Sequence, residues 1–126
     1  MASLVVPVTF IGSHGKATIR TLVDTGAEMT LIPESVARKI GAAILGEVSV
    51  RGAGRAVVKV GRISGIEIPG AMRCKAGPTL VWIFPLGQIF PGTGIQAILG
   101  FDFMQKAKMQ IAAFSQTRAI RCNGGR

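Results

Sequence analysis

The chain has no tyrosine, one tryptophan, one histidine, two cysteines and six carboxylates in 126 residues. Each shortage excludes something. The lone histidine, His14, lies in Gly12-Ser13-His14-Gly15 and reads as a turn residue. With no Cys-x-x-Cys and no histidine cluster, no metal site is expected. Cys74 and Cys122 allow one disulfide at most, so the chain is not a disulfide scaffold. Whether they pair or stay free thiols is open. No apolar run approaches the ~18 to 20 residues needed to span a bilayer, so no membrane insertion by this chain is expected. Met1 to Pro7 lacks a basic n-region and does not read as a signal peptide. The expectation is a soluble chain, with the cytoplasm favoured and a periplasmic or membrane-tethered parent protein as the alternative.

Charge is also one-sided, with 15 Lys and Arg against 6 Asp and Glu, a net of +9. Such an excess raises nucleic acid or an anionic surface as a partner. The distribution argues against it. Basic residues are spread along the chain without a run, and no aromatics are interleaved with them as stacking platforms. A soluble, self-repelling surface accounts for the charge equally well.

What the chain has is apolar residues (48%) and glycine (17 residues). The length is one domain's worth, residues 1–126, with frayed ends expected at 1–3 and 123–126. Two lobes with separate cores do not fit in this length. Many glycines without a period indicate turns and short strands. Leu4 to Ile11 reads as a strand, placed at an edge or near a terminus because Pro7 cannot donate to a ladder. Lys16 to Val23 alternates and completes a hairpin with it. Pro33 to Gly41 carries the best helix signals: proline at the start, Glu34 in the first turn, Arg38 and Lys39 in the last, glycine at the stop. Residues 48–60 read as a long hairpin with a glycine-rich tip at Arg51 to Arg55. Further strands are expected around 63–68, 72–75, 79–84, 95–99, 108–114 and 119–122, with a helical turn or two over 101–106. Strands therefore dominate, with one or two short helices. The class is all-β, with a closed or barrel-like sheet.

Among the six carboxylates, Asp24 stands apart. It ends the apolar strand Leu22-Val23 and enters Thr25-Gly26-Ala27. A carboxylate there is costly unless it is hydrogen-bonded or partnered. Gly26 lets the backbone turn and bring N–H groups to it. Taken alone, the tripeptide also suits a turn or helix-cap aspartate held by its own backbone. The context widens the signal. Met29 to Ile32 and a short helix follow, then a glycine-tipped hairpin, then Ile98-Leu99-Gly100-Phe101-Asp102.

Leu22 to Ala27, the tip near Gly52-Ala53-Gly54, and Ile98-Leu99-Gly100 together resemble the retropepsin-like aspartic proteases, single-domain relatives of pepsin. The likeness runs from about Leu4 to Cys122, and the Leu99-to-Asp102 form is closer to cellular and bacterial members than to retroviral ones. The resemblance implies the acid-protease fold and an aspartic endopeptidase without a cofactor, acting on peptides or proteins. It makes Asp24 the catalytic carboxylate. It has Thr25 brace two active-site loops across a dimer axis, and Gly26 contact substrate backbone. Ala27 and Glu28 would touch the substrate main chain. Arg51, Gly52, Ala53 and Gly54 would belong to a flap over the peptide. Ile98, Leu99 and Gly100 would pack beneath the catalytic loop.

Length and chemistry meet here. Water attack on a peptide needs one carboxylate to accept a proton and another to donate one. This chain has one Asp-Thr-Gly and no second copy, so a homodimer pairing two Asp24 side chains is implied. A non-catalytic dimerising or peptide-binding module of the same fold is the alternative. The flap differs from the family pattern in having two arginines and no aromatic at its tip, which hints at acidic substrate side chains. The apolar stretch Ile83 to Phe90 reads as a pocket wall, a dimer contact or plain core.

Overall fold

A computed structural model describes residues 4–52, 54–85, 90–111 and 120–123, and only the backbone of 51, 52 and 54–56. Its strands are β1 (Leu4–Ile11), β2 (Lys16–Val23), β3 (Leu31–Pro33), β4 (Ala43–Gly52), β5 (Gly54–Ile63), β6 (Gly65–Glu67), β7 (Lys75–Ala76), β8 (Thr79–Phe84), β9 (Ala97–Leu99), β10 (Met109–Ile111) and β11 (Ile120–Cys122). Two short helices, α1 (Glu34–Ile40) and α2 (Phe101–Ala107), complete the set.

Alternation builds the core. On β2, Ala17, Ile19, Thr21 and Val23 are buried, while Lys16, Thr18 and Arg20 are exposed. Leu4, Val6, Val8 and Phe10 of β1 are fully buried, and β1 pairs with β2 along its whole length, from Leu4 opposite Val23 to Ile11 opposite Lys16. Ile32, Ile66, Val81 and Leu99 close the same core. α1 follows its sequence signals: it starts after Pro33 and stops at Gly41, whose φ of 75° is the left-handed cap that glycine adopts without strain.

Nine strands form one mixed sheet in the order β4-β5-β8-β3-β9-β2-β1-β6-β7. Among the described residues β4 and β7 do not pair with each other, so the expected closure is not made by these ladders. The mostly-β class with two short helices holds. β1 lies between β2 and β6. The ladder to β6 covers only Thr9 to Ile11, so at Pro7 the strand has β2 alone as its partner, the edge position expected of a proline. Two expectations shift in detail. The hairpin of β4 and β5 is longer than expected, ten residues a side. Residues 72–74 are turn rather than strand, held by Cys74 N–H donating to Ala71 O at 3.1 Å. Residues 86–89 and 112–119, which include parts of an expected loop and strand, lie outside the described residues, as does Ala53 at the hairpin tip.

Cys74 and Cys122, both buried, form a disulfide across 48 positions of sequence. It fastens β11, whose sheet partner among the described residues is β10 alone. None of the described helices is long and apolar enough to cross a membrane.

Candidate active site

The site grows from an unusual strand insertion. β2 and β3 flank the Asp24–Thr30 segment in sequence but are not neighbours in the sheet. β9 lies between them, parallel to β2 (Leu22 opposite Ile98, Val23 opposite Leu99) and antiparallel to β3 (Leu31 opposite Ile98). The loop leaving β2 must therefore arch over the end of β9 before returning as β3.

Its backbone is closed by hydrogen bonds. Asp24 N–H donates to Leu99 O at 3.0 Å, extending the β2–β9 ladder by one residue. Ala27 N–H donates to Asp24 O at 3.2 Å, and Gly26 N–H donates to the Asp24 carboxylate Oδ1 at 2.9 Å. The half-buried carboxylate is thus met by a backbone donor, as a polar group at the end of a buried strand requires. Gly26 is absent from the positive-φ glycines, so its value here is smallness: a Cβ would stand 3.3 Å from that same oxygen.

α2 grips the loop from below. The first N–H groups of a helix lack intrahelical partners. Gly100, the residue before α2, supplies no side-chain cap. Two of the donors are instead taken by the loop: Phe101 N–H donates to Ala27 O at 2.7 Å, and Asp102 N–H to Glu28 O at 3.2 Å. Thr30, fully buried, adds a third tie. Its hydroxyl donates to Asp102 Oδ1 at 2.8 Å and accepts from Gly100 N–H at 3.1 Å. Gly100 passes so close to the loop that a Cβ would lie 2.6 Å from Met29 C and 2.9 Å from Ala27 O.

The structure therefore brings Asp24, Thr25, Gly26, Ala27 and Glu28 together with Ile98, Leu99 and Gly100. Asp24 is half-buried, while Thr25, Gly26 and Glu28 are exposed. Thr25 borders a cleft lined by Phe101, Met104, Gln105, Met109 and Ile111, and Phe101 at its rim is 47% exposed. The flap positions are elsewhere, at the end of the β4–β5 ribbon. β8 pairs with β5 only from Lys59 to Ile63, so the rest of the ribbon projects beyond the sheet. Its register sets position 51 opposite 55 and Gly52 opposite Gly54. Position 53 is not described. Ile83 and Phe84 are buried on β8, which makes that part of the apolar stretch core.

Sequence reasoning assigned nothing to Thr30 or to the side chain of Asp102. A signal was present: an acid in the first turn after Gly100, and a threonine amid apolar residues where a buried hydroxyl needs a partner.

At the base of the ribbon, Glu34 accepts a hydrogen bond from Lys59 Nζ at 3.1 Å, and Arg38 Nη2 stands 3.6 Å away. The Lys59 hydrogen bond, then its charge, holds the Glu34 carboxyl below the ordinary value of 4.5, with a smaller part from Arg38.

The aspartyl protease family matches this chain over residues 6–103, and the chain belongs to that family. Solved structures bear out the retropepsin-like fold. The retroviral protease-like domain of Ddi1 from Leishmania major superposes with a TM-score of 0.61 at 18% identity, covering 98% of this chain and 90% of that one. A retropepsin-like aspartic protease from Rickettsia conorii gives 0.53 at 15% identity, over 90% and 91%. The foamy viral protease-reverse transcriptase gives 0.51 at 16% identity, covering 82% of this chain and 12% of its own length. Among curated proteins no sequence matches significantly.

Proposed function

We propose that this chain is an aspartic endopeptidase that works as a symmetric homodimer, with water activated between two Asp24 carboxylates. The observation that carries the reading is the Asp24 loop itself, whose backbone is fixed by β9 and α2 while its carboxylate stays half-buried and its Thr25 and Gly26 face outward. In the proposed cycle one Asp24 accepts a proton from water as the oxygen attacks the peptide carbonyl carbon. The protonated partner Asp24 donates to the carbonyl oxygen. Collapse of the tetrahedral species returns a proton to the leaving amine. Two such carboxylates side by side share one proton, because both cannot ionise cheaply.

Thr25 is proposed to brace the two loops across the two-fold axis. The half-exposed apolar rim beside it, Phe101 with Met109 and Ile111, supports a second copy as its cover. Gly26, Ala27 and Glu28 would meet the substrate main chain. The projecting ribbon, with Arg51, Gly52, Ala53 and Gly54 at its end, would close over the peptide. The Cys74–Cys122 bridge favours an oxidising compartment over the cytoplasm.

The test is Asp24→Asn, assayed on a mixed peptide pool with circular dichroism as a fold control. We expect cleavage to fall at least ~10²-fold, in line with loss of a general acid–base group, with the fold intact. Undiminished cleavage would remove Asp24 from the chemistry, and no cleavage by the unaltered protein would leave the chain as a binding or dimerising module.

A further inference from the structure

Arg20 and Leu22 occupy one face of β2, and Asp24, the next residue but one, follows it where the ladder to β9 continues for one more bond. The alternation of the strand fixes that face, since Ala17, Ile19, Thr21 and Val23 are buried on the other. Four residues at strand rise separate Arg20 from Asp24 by ~13 Å, the reach of about four residues of an extended peptide.

Arg20 is also held in place. Its carbonyl accepts from Gln96 N–H at 2.8 Å, which ties β2 to the 90–96 segment. That segment is a formed turn: Thr93 Oγ1 donates to Phe90 O at 2.6 Å and accepts from Ile95 N–H at 3.1 Å. The stem of Arg20 lies against it, with Cδ and Nε at 3.7 and 3.9 Å from where a side chain on Gly94 would begin. A stem packed on a turn leaves the guanidinium head at the surface.

The chain offers that head little. Among the described residues both ion pairs belong to Glu34, with Lys59 and Arg38. Glu47 faces Lys59 in register, Glu67 faces Lys75, Asp102 accepts from Thr30, and Glu28 is exposed on the Asp24 loop with no ion pair among the described residues. Asp24 is bound to Gly26 N–H. The net charge of +9 adds a field that favours anionic partners.

We propose that Arg20 is a specificity-determining residue that binds an acidic side chain of the substrate, three or four residues from the scissile bond. The assignment rests on the peptidase reading above. A planar guanidinium can take a carboxylate through two parallel hydrogen bonds, which a neutral amide does not match.

Paired peptides test it, differing only as Glu or Gln at one position and neutral elsewhere. One position three or four residues from the cut should show a preference of about five- to tenfold in kcat/KM for Glu. The gain should lie in KM rather than kcat, as for binding made equally in ground and transition states. It should shrink as salt is raised. Arg20→Gln should bring the Glu/Gln ratio near one, Arg20→Lys should keep part of it, and Arg62→Gln should leave it unchanged. Cleavage with no acid preference, or a preference that survives Arg20→Gln, overturns the assignment while leaving the peptidase reading standing. No cleavage of any peptide removes the peptidase reading and this assignment with it.

Discussion

The Asp24 loop and the β4–β5 ribbon are both long excursions from the same sheet, and they are held in opposite ways. The loop is bracketed on two sides, by a ladder bond to β9 and by helix donors from α2, with a buried threonine between. The ribbon depends on its own cross-strand pairing past Lys59, and its apolar side chains include Val57 at 55% exposure. At its base stands a partly exposed ion-pair cluster around Glu34. A loop fixed by buried backbone tolerates almost no change, whereas a ribbon fixed by its own ladder tolerates much. Under the proposed peptidase reading, that contrast would hold the Asp24 carboxylate still while the ribbon moves over the peptide.

Substitutions can break the contrast, and the largest effect should come from Gly100→Ala. The added carbon would meet the Met29 and Ala27 backbone, not a flexible side chain. A loss of about 3 kcal/mol or more in denaturant unfolding is expected. A loss under about 1 kcal/mol would show that the bracket yields. Thr30→Val comes next. It keeps the shape but strands the Asp102 carboxylate and the Gly100 N–H, for an expected loss of roughly 2 kcal/mol. Thr30→Ser should recover most of it, and equal losses in the two variants would point to packing instead.

Glu34→Gln at the ribbon base should do least, and its signature is in pH. Glu34 titrates lower in the folded chain than the ordinary 4.5, so its contribution is full above that value. It is lost as pH falls through the lower folded value. The variant should flatten that part of the acid limb of a stability-against-pH curve and barely move the neutral plateau. A plateau loss as large as that of Thr30→Val would erase the distinction between the two regions.

Much of this was legible in the sequence because it is local. An apolar run marked β1 and alternation marked β2, proline and glycine bounded α1, and Asp24-Thr25-Gly26 with Ile98-Leu99-Gly100 marked the two halves of the bracket. What was not legible depends on distant partners. Thr30 and Asp102 are 72 positions apart, and neither reveals its role without the other. The Cys74–Cys122 bond, 48 positions apart, is equally invisible to local pattern. The pairing order that inserts β9 between β2 and β3 follows from packing the whole chain, not from any one segment.

If one chain carries half of a two-carboxylate site, activity requires the dimer. Sedimentation equilibrium under the conditions of the peptidase assay should then give a species of twice the 13.2 kDa chain mass, with specific activity falling as dilution drives it to monomer. A strict monomer that cleaves peptides with constant specific activity would contradict it.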